Sequence, residues 1–295
     1  MANQSLLVKY KTASTLIKII IINGLLFLSI RLTAFFFEIR IEDITASFVL
    51  PDDFLSMFSQ PWSLITYGFI HHDFWHIFWN MLILYWFGSI FLNLFKGKRL
   101  LTIYLLGIIC GGLLFMLAFN IFPVFSNSLN YLLGASAGVR AVMIFIAAYN
   151  PNTEMRIFIF NVKLWHIGVF VILMDLLQMT SSGNAGGMLA HIGGAIFGYV
   201  YARQLVKGND IGVWFENILN WFSNIFKTRK QKPFKKVHKT KQRTSRGTKT
   251  TRTSVNKDEH QQKIDAILDK ISKSGYASLS KTEKDFLFNA GNKND

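Results

Sequence analysis

Gly134-Ala135-Ser136-Ala137-Gly138 opens an apolar segment that runs to about Ala148. A serine hydroxyl between small residues at the start of such a segment can be approached closely by another backbone, because nothing bulky shields it. About 55 residues later, Ala190-His191-Ile192-Gly193-Gly194 opens a second apolar segment, again with glycines beside a polar side chain. Whether this serine and histidine can meet depends on how the segments between them are arranged.

Composition narrows that arrangement. The chain has 295 residues, 51% hydrophobic, with 28 Phe. It is too apolar for an ordinary soluble domain of this length. The net charge is +15, and most of the basic excess follows residue 226. The chain therefore divides into an apolar block, a basic stretch and a short mixed-charge end. One cysteine, Cys110, excludes an intrachain disulfide and any cysteine-cluster metal site. The first apolar run, Leu16 to Phe37, is longer than a signal-peptide core and has no small-residue cleavage site behind it, so it reads as a retained span.

A membrane helix needs roughly 20 mostly apolar residues. Six stretches qualify, some loosely: 16–37, 72–95, 100–121, 134–150, 162–180 and 186–206. Lys9, Lys11 and Lys18 lie at the start of the first. The connection 38–61 is acidic, with Glu38, Glu42, Asp43, Asp52 and Asp53 against Arg40. Lys96-Gly97-Lys98-Arg99 is basic, and 122–133 is uncharged. Arg156 and Lys163 follow the fourth span, 181–185 is uncharged, and Arg203 and Lys207 close the sixth. Positive residues thus fall in every second connection. The positive-inside rule then puts both termini in the cytoplasm and the acidic connection outside. The expected fold is an all-α membrane protein, a six-helix bundle over 16–206, preceded by a cytoplasmic N-terminus at 1–15.

Outside the spans, residues 38–61 mix apolar and charged side chains with Pro51 and Pro61, which predicts a folded, half-buried loop. Residues 207–226 contain Trp214, Phe215, Trp221 and Phe222, an amphipathic segment too short to span and suited to the inner surface. Residues 227–257 hold thirteen Lys/Arg and no acid. They read as a disordered basic tail attracted to anionic lipid; nucleic acid is not expected, since the run adjoins a membrane and lacks interleaved aromatics. In 258–295, Ile264, Ile267, Leu268 and Ile271 repeat at helical spacing, Gly275 can close that helix, and Ser280-Lys281-Thr282-Glu283 is a capping box. These features predict a small helical hairpin, a docking element for an unknown partner.

The topology brings the serine and histidine together. The fourth and sixth spans both run from outside to inside. Ser136 and His191 then lie at depths within roughly 5 Å of one another. Gly194 and Gly198 form a small-xxx-small contact motif, and Gly134 and Gly138 offer the facing surface. A histidine in reach of a serine can take its proton and make it a nucleophile. The tetrahedral intermediate of acyl transfer needs hydrogen-bond donors for its oxyanion. His76 and Asn80, four apart on one face of the second span and near the same depth, can supply them beside the Ser136 backbone N–H. No third acid is evident, so a dyad is expected.

Together these residues give the chain a recognisable pattern. It resembles the rhomboid intramembrane serine proteases. The matching pieces are Pro61-Trp62-Ser63-Leu64-Ile65-Thr66-Tyr67 with Phe69-Ile70-His71, then Trp75-His76 and Asn80-Met81, then Gly134-Ala135-Ser136, then Ala190-His191 with Gly194 and Gly198. They occur in the family's order across 16–206. The resemblance implies Ser136 as nucleophile, His191 as general base, His76 and Asn80 as oxyanion donors, and His71 as a supporting residue. It implies membrane-spanning protein substrates cut near their outer ends, no metal and no cofactor. The end of the chain looks like tails on rhomboid relatives from Bacteroidetes-type bacteria, which implies a bacterial inner membrane.

Two positions depart from the family's pattern. Ala137 stands where many members have glycine. Arg140, one turn below Ser136 on the same face, stands where the family often has an aromatic or small residue. Such a cation would disfavour a protonated His191, or it would pair with an acid such as Asp175 near the outer end of the fifth span. Arg140 keeps a second expectation open, a catalytically inactive relative that binds membrane proteins. A small transporter using His191, Arg140 and Asp175 is a third, against which the absence of internal repetition counts.

Overall fold

A computed structural model of the chain describes residues 10, 12–125, 131–157, 159–181, 183–225 and 255–291. The chain forms two units, Met1–Arg229 and Lys230–Asp295. Most of the expected N-terminal segment 1–15 and nearly all of the basic tail 227–257 lie outside the described residues. The last three residues of that tail, 255–257, belong to a helix instead.

The first unit begins with α1 (Thr15–Phe37), whose N-terminus is capped by the Ser14 side chain accepting the Ile17 N–H. The acidic connection is folded, as its mixed composition predicts. It contains α2 (Ile41–Thr45), β1 (Leu50–Pro51), α3 (Phe54–Ser59) and α4 (Ser63–Thr66), followed by a 3-10 turn at Tyr67–Phe69. Leu50 is fully buried. Next come α5 (Phe74–Leu94) and α6 (Gly97–Ile121). α6 starts three residues earlier than its hydropathy predicts, taking Lys98 and Arg99 into its first turn. After β2 (Tyr131–Leu132) comes α7 (Ser136–Tyr149). Two strands absent from the expected all-α fold, β3 (Glu154–Ile157) and β4 (Phe160–Lys163), form an antiparallel pair before α8 (Leu164–Met179). The predicted fifth span therefore begins in a strand, and its helix starts at Leu164. α9 (Ala185–Val206) is capped by Asn184, and α10 (Val213–Ile225) follows with no buried residue.

Among the described residues, α1, α5 and α6 are long and apolar enough to cross a membrane. α7 and α8 are apolar but shorter, at 14 and 16 residues.

α7 is the centre of this unit. Val139, Ala141 and the run to Ala147 are buried, and α7 packs against α6, α9, α5 and α8. In lipid the hydrophobic effect does not draw helices together, so close van der Waals packing must hold them. Small residues make that approach possible. A Cβ placed on Gly194 would lie 2.1 Å from the Ala137 carbonyl oxygen, and one on Gly198 would lie 2.3 Å from that of Ala141. α9 and α7 therefore touch backbone to backbone, in parallel, at two levels one turn apart. α6 meets the same place: a Cβ on Gly111 would sit 2.5 Å from the Ala137 Cβ and 2.7 Å from the Ala190 oxygen. The methyl of Ala137, the first departure noted above, is housed by the missing side chain of Gly111.

Toward the C-terminal end of α9, the Asp210 carboxylate accepts from the Tyr201 hydroxyl and the Gly212 N–H and pairs with Arg99, tying the end of α9 to the start of α6. In the second unit, α11 (Val255–Ser274) ends at Gly275, whose N–H donates to the Ile271 oxygen. α12 (Lys281–Gly291) opens with both arms of the capping box formed. The Glu283 N–H donates to Ser280 Oγ at 3.3 Å, and the Ser280 N–H donates to Glu283 Oε2 at 2.7 Å. Lys270 on α11 pairs with Glu283 at 2.9 Å.

The glycine contacts predict an asymmetry. Gly198→Val should lower the thermal unfolding midpoint in detergent by several degrees, as overpacking costs about 1–3 kcal/mol or more. Gly24→Val, where an added Cβ meets nothing within 4 Å, should leave the midpoint in place. Equal midpoints for the two variants would refute the packing argument.

Candidate active site

The loop before α7 is held from three directions. β1 pairs with β2, matching Leu50 with Leu132, so the folded acidic connection anchors the strand two residues before Gly134. The Gly134 N–H donates to the Tyr67 carbonyl at 2.9 Å. The Ala135 N–H donates to His71 Nε2 at 3.5 Å. Gly134 itself has φ +118°, a conformation an L side chain rarely adopts, and this turn delivers Ser136 to the first position of α7. The first N–H groups of a helix have no partner within it, so those of α7 begin at the serine.

His76 enters from α5. Asp73 caps that helix by accepting the His76 N–H at 2.9 Å, which fixes where the histidine leaves the backbone. The His72 N–H donates to His76 Nδ1 at 3.4 Å. In the neutral ring the hydrogen is then on Nε2. That atom points into the hollow left by the absent side chain of Gly134: a Cβ there would be 2.7 Å from His76 Nε2 and 3.6 Å from Ser136 Oγ. A hydrogen-bond donor and a hydroxyl thus converge on one space. Both residues are partly exposed. A cavity of about 560 Å³ lies against the same loop, bordered by His71, His72, Leu133, Glu42 and Asp53.

Asn80 is less directly placed. Its Nδ2 donates to the His76 carbonyl at 2.9 Å, one turn back in its own helix. The amide keeps one further N–H, but in this arrangement the first is occupied.

His191 comes from α9. The contacts of Gly194 on Ala137 and of Gly198 on Ala141 place residue 191 level with residue 134, about 3 Å along the axis from Ser136. The imidazole is not alone there. His191 Nδ1 is 3.0 Å from Asp175 Oδ1 on α8. The expectation that no acid accompanies the pair is thereby corrected. Arg140 meets the same carboxylate through two bonds, Nε to Oδ2 at 2.9 Å and Nη2 to Oδ1 at 3.0 Å. Asp175 is 2% exposed. Of the two roles the sequence left open for Arg140, the structure has the paired one.

His71 is 4% exposed, and burial together with the nearby His76 pushes its imidazole down to about 3. It remains neutral, as its acceptor role toward Ala135 requires.

Compared with known proteins, residues 59–208 match the rhomboid domain family, and residues 248–289 match a family of unknown function (DUF6576). RHOMBOID-like protein 12, mitochondrial, of Arabidopsis thaliana is 30% identical over 158 residues, 50% of this chain and 47% of that protein. Rhomboid-like protease 1 of Toxoplasma gondii is 30% identical over 161 residues, 53% of this chain and 51% of the relative. The chain spans about half the length of these curated relatives.

The neutral His71 sets a pH dependence. Its folded value lies below the ordinary value of about 6.5. Its contribution is therefore complete above about pH 6.5 and is lost as pH falls toward 3. His71→Gln keeps an acceptor for the Ala135 N–H without a titrating ring. Unfolding midpoints of wild type minus variant, measured from pH 7.5 to 4.5, should hold level to about pH 6.5 and fall below it; a flat difference throughout would contradict this account.

Proposed function

This chain belongs to the rhomboid family and is a multi-pass membrane protein, and from that premise we propose that it is a serine endopeptidase cleaving membrane-spanning proteins. The observation that carries the proposal is the convergence of Ser136 Oγ and His76 Nε2 on the open side of Gly134, with His191 at the same level. In this mechanism His191 Nε2 takes the Ser136 proton as Oγ attacks the scissile carbonyl. The oxyanion accepts from His76 Nε2–H and the Ser136 backbone N–H, and from Asn80 if its amide turns from His76 O. His191 then passes the proton to the leaving amine. Water, activated by the same imidazole, frees the serine. The steps use groups of this chain and a water molecule, and call on no metal or cofactor.

The surrounding assignments follow from the same reading. Residues 16–206 form a six-span domain comprising α1 and α5 to α9, preceded by a cytoplasmic segment at 1–15. The membrane is a bacterial inner membrane, both termini are cytoplasmic and the site opens to the outer side. Residues 207–226 lie on the inner surface, the basic 227–257 attracts anionic lipid, and 258–295 docks a partner.

The inactive-relative reading rested on an unpaired cation beneath the imidazole. The bidentate pairing of Arg140 with Asp175 neutralises that cation and so favours the active reading. A transporter would need a polar path through the membrane, whereas Arg140, Asp175 and His191 satisfy one another in a single cluster.

Fluorophosphonate labelling tests the proposal. Purified wild type should label. Ser136→Ala and His191→Ala should lose labelling by about 10³-fold or more, with unchanged elution on gel filtration. A folded wild type that does not label would turn the reading to the inactive relative.

A further inference from the structure

Asp175 has no part in the steps just described, yet it is among the most buried polar groups in the unit. Its side chain is 3% exposed, and those of Arg140 and His191 are 16% and 12% exposed. An isolated carboxylate in a membrane helix is costly, and it persists only with a partner. Arg140 supplies one in the strongest geometry available, with two near-parallel N–H bonds to the two oxygens. That pairing keeps Asp175 ionised.

The ionised state has a chemical consequence. A carboxylate can only accept hydrogen bonds. The 3.0 Å contact between Asp175 Oδ1 and His191 Nδ1 therefore requires the hydrogen to be on Nδ1. In the neutral imidazole the lone pair is then on Nε2, the atom a general base must present to a serine hydroxyl. The same bond stops the ring from rotating about its own axis. Three helices each contribute one group: α7 gives Arg140, α8 gives Asp175 and α9 gives His191. Because α7 also gives Ser136, the imidazole is referenced to the helix that carries the nucleophile.

The geometry points to Asp175 as a positioning residue for His191, fixing its tautomer and orientation, with Arg140 as the counter-ion that keeps Asp175 charged and in place. The role in catalysis rests on the protease reading. The hydrogen bond and the tautomer do not, and this lets the two be tested apart. The site is then a serine, a histidine and an acid on three successive helices rather than a dyad.

The bland alternative is that Asp175 merely balances Arg140 and pins α8 to α7. A double variant separates the two, because Arg140→Met with Asp175→Asn removes both charges and leaves no stranded ion. The experiment uses the full chain in detergent, labelled with ¹⁵N-histidine, the His191 signals being identified by their loss in His191→Gln. Wild type should show an Nδ1-protonated ring. Asp175→Asn and the double variant should both lose that preference. Both should label with the fluorophosphonate about 10²- to 10⁴-fold more slowly than wild type, while the double variant keeps the wild-type unfolding midpoint to within a few degrees. An unchanged tautomer in Asp175→Asn would overturn the proposal. So would recovery of labelling in the double variant to near the wild-type rate, since charge balance alone would then be all that Asp175 provides. If wild type itself does not label, the protease reading fails by itself, and the tautomer comparison still decides the role of Asp175.

Discussion

Everything near Ser136 depends on the backbone-to-backbone contact between α7 and α9. Gly194 on Ala137 and Gly198 on Ala141 set the distance between two parallel helices and their register. A side chain at either glycine would clash with the facing backbone and push the two helices apart, carrying His191 away from the serine's helix. α6 closes the third side through Gly111, so Ala137 is surrounded by backbone on two neighbours. The tolerance of this site for volume is therefore very low beneath the serine, and it is low before it too, where Gly134 and Ala135 are buried and a Cβ on Gly134 would meet His76.

The electrostatics are built on that steric frame. Arg140, Asp175 and His191 come from three helices and meet only because those helices are close. An ion pair of this kind does not bring helices together, because the desolvation of two charges offsets most of their attraction. What it supplies is orientation. Once the glycines have fixed the backbone, the guanidinium fork fixes the carboxylate, and the carboxylate fixes the ring. Precision passes from shape to hydrogen bonding in that order.

Much of this was legible in the sequence, for identifiable reasons. Hydropathy located the apolar helices, and matching depths from a common side made Ser136, His191 and His76 neighbours. The capping box at Ser280 and Glu283 could be read letter by letter because caps are local. The Asp175–His191 contact could not. The two residues are 16 apart on different helices, and their meeting depends on how each helix is rotated about its axis, which residue spacing does not encode for a helix apolar on most of its surface. Likewise, Glu154–Ile157 and Phe160–Lys163 each alternate polar and apolar residues, a strand pattern that a division of the chain by apolar spans alone passes over. Asn80 was expected to share a face with His76, and its amide turns back to its own helix, a choice between rotamers that spacing leaves open. Ala137 looked like a departure until Gly111, on another helix, was seen to accommodate it.

The length of α7 has a consequence of its own. A helix of 14 residues extends about 21 Å, whereas the hydrocarbon core of a bilayer is about 30 Å thick. One of its ends must stop short of the headgroups, or the lipid must thin to meet it. With polar company at the Ser136 end and continuous apolar packing toward Tyr149, the shortfall falls on the serine side. In the proposed six-span arrangement the hydroxyl would then lie below the headgroup plane. Under the proposed activity, a spanning substrate would reach it only by unwinding and bending toward it. Bilayer thickness would thus set how far a peptide must descend, making the lipid itself a determinant of which bonds come within reach.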